Sequence, residues 1–99
     1  MPGYIVVTVE ITDPAASQAY SSQVEATLEP YGGRFLVRGG RLEELEGEWY
    51  MPRLVVLEFP STDAARDWYR SDAYQRILPI RTANSNARVV LVEGYTPPA

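Results

Sequence analysis

The stretch Tyr31-Gly32-Gly33-Arg34-Phe35-Leu36-Val37-Arg38-Gly39-Gly40 constrains the fold more than any other, because two glycine pairs bracket a short strand pattern there. Glycine adopts the left-handed backbone that closes a helix at little steric cost, so Gly32-Gly33 ends the helical pattern before it. Alternate side chains of a strand point to opposite faces, so Phe35 and Val37 share one face and Arg34, Leu36 and Arg38 the other. Gly39-Gly40 reads as a bulge or a close backbone approach. The chain runs on through Arg41-Leu42-Glu43-Glu44-Leu45 before a stronger turn region over residues 47–52.

Three further strands and two helical segments flank that stretch. Tyr4-Ile5-Val6-Val7-Thr8-Val9-Glu10-Ile11 is rich in β-branched residues, and Ile5, Val7, Val9 and Ile11 make one wholly apolar face that belongs under helices. Asp13-Pro14 starts a helix with a capping carboxylate and a proline at the first helical position. Ala16, Tyr20, Val24 and Leu28 form its buried stripe, and it stops near Glu29-Pro30. Arg53-Leu54-Val55-Val56-Leu57-Glu58-Phe59 is the third strand. Ser61 or Thr62 caps the next helix, which buries Ala64, Ala65, Trp68 and Tyr69. Ser71-Asp72 restarts a helical turn with Tyr74, Ile77 and Leu78 on one face, and Pro79 is expected to break or restart it. Arg88-Val89-Val90-Leu91-Val92-Glu93 is the fourth strand, closed by Gly94. The order β-α-β-β-α-β is that of an α+β, ferredoxin-like sandwich, an antiparallel sheet with helices on one face. Residues 1–95 are expected to form one domain and 96–99 a loose tail.

Composition removes whole classes of chemistry. The 99 residues contain no cysteine and no histidine, and all nine basic residues are arginine. Thiol nucleophiles, thiolate or imidazole metal sites, histidine-held haem, imidazole bases and Schiff-base lysines are therefore excluded. Arginine clamps an anion but is a poor proton shuttle, which leaves a carboxylate as the expected general base, with a tyrosinate as the second choice. A formal net charge of -4 argues against nucleic acid and anionic membranes as partners. No apolar run approaches a membrane span and no signal-peptide pattern opens the chain, so a cytoplasmic location is expected. Glu43, Glu44, Glu46 and Glu48 around Gly47 lack the spacing of a calcium loop and read as a solvated acidic hairpin, not a metal site. Trp49 and Tyr50 beside them are expected to pack locally, with a partner subunit or a pocket mouth as the alternative.

By alternation, the face left uncovered by the helices carries Thr8, Glu10, Leu36, Arg38, Leu54, Val56, Glu58, Leu91 and Glu93. Such a face is too apolar for water and should meet its own copy in a two-fold homodimer, with Arg38 paired to Glu58 or Glu93. RNA-recognition domains share the sandwich, but their outward aromatics on the third strand are replaced here by Leu54 and Val56.

Several motifs together resemble one family. They are the Tyr-Gly-Gly-Arg-Phe-Leu-Val-Arg-Gly-Gly stretch, Leu45-Glu46-Gly47-Glu48-Trp49, Arg53 to Ser61, Trp68-Tyr69-Arg70-Ser71, Tyr74 and Val92-Glu93-Gly94-Tyr95. Over nearly the whole chain they are similar to the bacterial domain-of-unknown-function 1330 family. That resemblance implies a dimeric α+β barrel, in which two sheets face each other around a cavity, and implies no established activity. Related barrels include cofactor-free monooxygenases, isomerases and haem-handling enzymes, of which a haem protein does not suit a chain without histidine.

Three roles remain open at this point. One is a homodimer that binds a small molecule between sheet and helices or inside the barrel. Arg38 would recognise an anionic or carbonyl group, Glu58 and Glu93 would orient it, and Tyr20, Tyr69, Tyr74 and Arg81 would shape the entrance. A second is an enzyme of isomerase or monooxygenase type, without cofactor, using Glu58 or Glu93 as base; burial would raise such a carboxylate's pKa while a nearby Arg38 would lower it. The third is a structural dimer in which Arg38 and Glu58 form an ion pair that fixes register, with the three tyrosines as core or interface aromatics.

Overall fold

Local capping chemistry sets the helices. The computed structural model describes residues 1–98. Asp13 accepts the Ala16 N–H at 3.1 Å and Pro14 occupies the first position of α1 (Pro14–Ser21), which satisfies an N–H that the helix itself leaves orphaned. The expected single helix is divided: α1 gives way at Ser22-Gln23 to α2 (Val24–Leu28) and a 3-10 turn (Glu29–Tyr31). Gly32 ends that turn at φ 68 and donates its N–H to Glu29 O. Ser61 is the cap of α3 (Thr62–Arg70), and Ser71 both ends α3 and caps α4 (Asp72–Ala83), with its hydroxyl accepting the Tyr74 N–H.

α4 runs on through Pro79 instead of breaking there. Proline leaves the Gln75 carbonyl without its helical donor, and separately side chains take up carbonyls of the last turn. Asn84 Nδ2 donates to Ile80 O at 2.8 Å and Ser85 Oγ to Arg81 O at 2.6 Å. Burial of Tyr74 and Ile77 keeps the helix on the sheet.

The strands β1 (Gly3–Ile11), β2 (Arg34–Arg38), β3 (Arg53–Phe59) and β4 (Ser85–Glu93) form one antiparallel sheet in the order β2-β3-β1-β4. This is the α+β, ferredoxin-like architecture. Ile5, Leu57 and Phe59 from the sheet meet Val24 and Leu28 from α2, Ala65 and Trp68 from α3, and Tyr74 and Ile77 from α4. Each large apolar side chain removed from water in this way contributes about 1.5–3 kcal/mol. Trp68 lies at the centre, and its indole N–H donates to Thr27 Oγ1 at 2.9 Å while that hydroxyl donates to Val24 O. The molecule measures 46 × 39 × 16 Å, the thickness of one sheet and one helical layer, so the second sheet face has no helix over it.

Register corrects three expectations about the faces. The β2–β3 pairing shifts between Phe35 and Val37, which makes Leu36 the bulged residue. Arg34 therefore lies opposite Glu58, whereas Arg38 lies opposite Val55 on the helix side. A bulge adds one residue to one strand and inverts the facing of everything beyond it. Hence Arg38 is not on the uncovered face, and the bulge is at Leu36 and not at Gly39-Gly40. Gly39 is a close approach, at φ 69 with Arg53 packed against it, while Gly40 has open space. On β4, Leu91 pairs with Ile5 and Glu93 with Gly3, so these two belong to the helix-facing set; Val90 opposite Val6 and Val92 opposite Tyr4 take the open face. Four consecutive apolar residues at 89–92 carry no alternation by which to read their facing, and the ladder with β1 decides it.

Thr96, Pro97 and Pro98 lie outside any helix or strand, and Ala99 of the expected tail lies outside the described residues. Among the described residues no helix is long and apolar enough to cross a membrane, and no group of three or more His, Cys, Asp or Glu side chains is placed to hold a metal ion.

Candidate functional site

The alternation of β1 builds a cavity. Ile5, Val7 and Val9 point toward the helices, and with Leu57 and Trp68 they wall a space of about 350 Å³ between the sheet and the helical layer. Tyr20 and Tyr74 line the same space with their hydroxyls 2.9 Å apart and their rings edge to face. Burial pushes the Tyr20 hydroxyl well above its ordinary pKa, Tyr74 reinforces that, and the Arg81 guanidinium opposes it. Tyr20 is thus a neutral hydrogen-bonding group at ordinary pH.

Three arginines line this cavity as well: Arg38, Arg53 and Arg81. The ladder explains why they gather. Arg53 pairs with Val9 near the end of β1, Ser85 at the start of β4 pairs with Ile11, Arg38 ends β2, and Arg81 stands in the last turn of α4. All four positions belong to the same end of the sheet. Arg38 is partly engaged: its Nη2 donates to Ser21 O at 2.7 Å, its Nη1 is 3.8 Å from Glu25, and its guanidinium lies 4.2 Å from the Phe35 ring centroid. Among the described residues neither Arg53 nor Arg81 forms a salt bridge. The cavity therefore has an apolar and aromatic body and a cationic end.

On the open face the sheet presents successive rows. Arg34, Glu58, Tyr4 and Val92 form one row, Val37, Val56, Val6 and Val90 the next, and Leu54, Thr8 and Arg88 a third. Arg34 donates twice to Glu58 Oε1 while Tyr4 donates to Oε2 at 3.1 Å. Those donors, Arg34 first, hold the Glu58 carboxyl below its ordinary pKa against a smaller opposing effect of burial. Residues 39–52 form no helix or strand, and they carry Tyr50 onto the third row. There the Tyr50 hydroxyl is 3.1 Å from Thr8 Oγ1 and the ring lies 5.3 Å from the Arg88 guanidinium. This contact explains why Thr8, although on the helix-free face, is only 7% exposed.

The sequence-derived candidates thus divide. Arg38, Tyr20, Tyr74 and Arg81 converge on the cavity. Glu58 is on the opposite face of the sheet, and Glu93 is at the far end of β4 from Ser85, so neither pairs with Arg38. Tyr69 packs against Tyr74, ring centroids 5.4 Å apart, and lines grooves beside β4 in place of the cavity. Arg53 and Trp68 escape sequence reasoning as cavity residues. Arg53 could have been found from the spacing Arg53, Val55, Leu57, which puts it on the core-facing side of β3.

Solved structures share this fold. The RPA0582 protein of unknown function from Rhodopseudomonas palustris is 20% identical, with a TM-score of 0.76 over 97% of this chain and 84% of that one. A dimeric ferredoxin-like protein of unknown function from Jannaschia sp. CCS1 is 18% identical, with a TM-score of 0.66 over 95% of this chain and 100% of its own. SnoaB, a cofactor-independent oxygenase from Streptomyces nogalater, is 18% identical, with a TM-score of 0.56 over 97% of this chain and 93% of its own. At these identities the likeness is one of fold. No curated protein matches the chain. The family model described as Domain of unknown function (DUF1330) matches residues 2–95, which takes in every strand, every helix and all the cavity residues named above, and the chain belongs to that family.

Proposed function

We propose that this chain binds a small, largely apolar metabolite whose carboxylate or other anionic group is held at the cationic end of the cavity. The observation that carries the reading is the placement of Arg53 and Arg81, without carboxylate partners among the described residues, on a cavity otherwise walled by aliphatic and aromatic side chains. Ligand pockets combine such apolar walls with a few polar groups that fix orientation. Arginine is suited to the polar end because its planar fork matches a carboxylate and stays charged. Arg38 adds a third cation, and the Tyr20–Tyr74 hydroxyl pair, joined by one hydrogen bond, leaves one neutral O–H donor for the ligand.

The protein acts as a homodimer in this reading. Val90 and Val92 are 54% and 44% exposed on a sheet face with no helix over it, and a second copy is the simplest cover for such a surface. The dimeric ferredoxin-like neighbour from Jannaschia supports the same assembly.

A cofactor-independent enzyme is the less favoured alternative. SnoaB shares the fold, but Glu58 faces away from the cavity and is held ionised by Arg34, which makes it a poor base there.

Thermal shift and Trp68 fluorescence with 2-naphthoate, decanoate and the matching neutral amides test the binding reading. Carboxylates should stabilise the fold, by about 2.7 kcal/mol at one hundred times Kd, and the amides should not. Arg53→Gln and Arg81→Gln should each weaken binding at least about tenfold, the loss of one charge-assisted hydrogen bond. Equal response to acids and amides, or no response to either, overturns it.

A further inference from the structure

Residues 39–52 make an arm on which Leu45 and Trp49 are the least covered of the apolar side chains that do not rest on the sheet. Leu45 is 87% and Trp49 47% exposed. Glu43, Glu44, Glu46 and Glu48 are all exposed, and only Glu44 has a protein partner among the described residues, the Trp49 N–H at 2.8 Å. Tyr50, pinned to Thr8 on the open face, holds the base of this arm against the surface proposed to meet a second copy.

At the other side of the sheet, a groove of about 550 Å³ runs beside β4. Ile5, Val89, Val90 and Leu91 contribute its apolar side, and Arg66, Tyr69, Arg70 and Gln75 from α3 and α4 line the rest. Arg66 has Asp63 at 2.8 Å, while Arg70 makes no salt bridge among the described residues. The arm is acidic and apolar, and the groove is basic and apolar.

The sheet order makes the two meet in a dimer. β2 and β4 are the two edges, and the arm leaves the end of β2. Unpaired edges are surfaces that folded proteins cover or blunt. If two open faces pack about a two-fold axis running along the strands, each copy's β2 lies across from the other's β4, which brings the arm that leaves one copy's β2 to the other's β4 edge. We infer that the arm 39–52 of one copy seats in the β4-edge groove of a second copy, with Leu45 against Val89 and Leu91 and the glutamates facing Arg66 and Arg70. This inference rests on the homodimer reading above.

The absence of native cysteine makes the test direct. Leu45→Cys and Arg70→Cys chains, purified separately, are mixed under mild oxidation beside a control mixture of Leu45→Cys with Glu25→Cys, and run on non-reducing gels. A mixed disulfide dimer from the first pair and not the control is expected. In parallel, light scattering of the otherwise unmodified chain carrying Arg66→Glu and Arg70→Glu should show a dimer Kd raised at least about tenfold, as expected for like charges brought face to face, while Arg76→Glu leaves it unchanged. A wild-type monomer at micromolar concentration overturns both the dimer and the arm. A wild-type dimer with no selective cross-link and no effect of charge reversal leaves the dimer standing and overturns the arm.

Discussion

Arg34 and Glu58 stand directly opposite each other across the β2–β3 ladder, and Arg34 Nε and Nη2 both reach the same carboxylate oxygen, at 2.9 and 2.6 Å. The other oxygen accepts from Tyr4. This trio, not a pair involving Arg38, is the charged feature of the open face. It holds a carboxylate in its ionised form at one end of a row that faces a proposed dimer partner.

The lowered pKa of Glu58 has a definite consequence for acid stability. A carboxyl more acidic in the folded chain than in the unfolded one contributes stability above its unfolded pKa, about 4.3, and loses it as pH falls through the folded value. The urea midpoint of the wild type should therefore exceed that of Glu58→Gln near neutrality, and the gap should close as pH falls below about 4. A gap constant across that range would mean that the ion pair does not discriminate between the two forms of the carboxyl.

Tyr20 acts in the opposite direction on the pH scale. Its hydroxyl is held neutral by burial, so the unfolded chain loses that proton first, near the ordinary tyrosine value of about 10. Stability should fall above that pH, with a slope of at most about 1.4 kcal/mol per pH unit from this group. Tyr20→Phe should flatten the decline, measured by urea unfolding at successive alkaline pH values against wild type. An unchanged slope would assign the alkaline loss to other groups.

Gly39 and Gly40 should respond differently to alanine. Gly39 has φ 69 and Arg53 packed where a Cβ would stand, whereas nothing lies within 4 Å of the corresponding position at Gly40. Left-handed backbone costs about 1–2 kcal/mol for a residue with a Cβ. Gly39→Ala should lower stability by at least about that amount and, by displacing Arg53, weaken carboxylate binding in the cavity. Gly40→Ala should change neither by more than about 0.5 kcal/mol, the usual range for an exposed surface position. Comparable losses in both variants would contradict the close approach.

Much of the architecture is written locally in the chain. Asp13-Pro14, Ser61 and Ser71 each start a helix because their side chains satisfy orphaned backbone donors, and such caps need no tertiary partner. The alternation of Ile5, Val7, Val9 and Ile11 against Tyr4, Val6, Thr8 and Glu10 assigns the faces of β1 unaided, because a strand with one apolar side has only one side to bury. The candidates Arg38, Tyr20, Tyr74 and Arg81 were legible as residue types suited to an anion or carbonyl ligand. Their meeting place was not.

Facing and convergence were decided by the tertiary structure. Nothing local marks Leu36 as the extra residue; only the pairing of β2 with β3 makes it one, and that single insertion moves Arg38 from the open face to the cavity. On β4, where Val89, Val90, Leu91 and Val92 are all apolar, the ladder to β1 chooses which pair is buried and carries Glu93 away from Glu58. Arg53 and Arg81 are distant in sequence and share a site because β3 and the end of α4 arrive at the same end of the sheet. Backbone preference and burial averaged along each segment give the elements and their order, and the faces of β1, from the chain alone. Strand pairing determined which charge meets which, because a side-chain period of two turns one residue of register into the opposite side of the sheet.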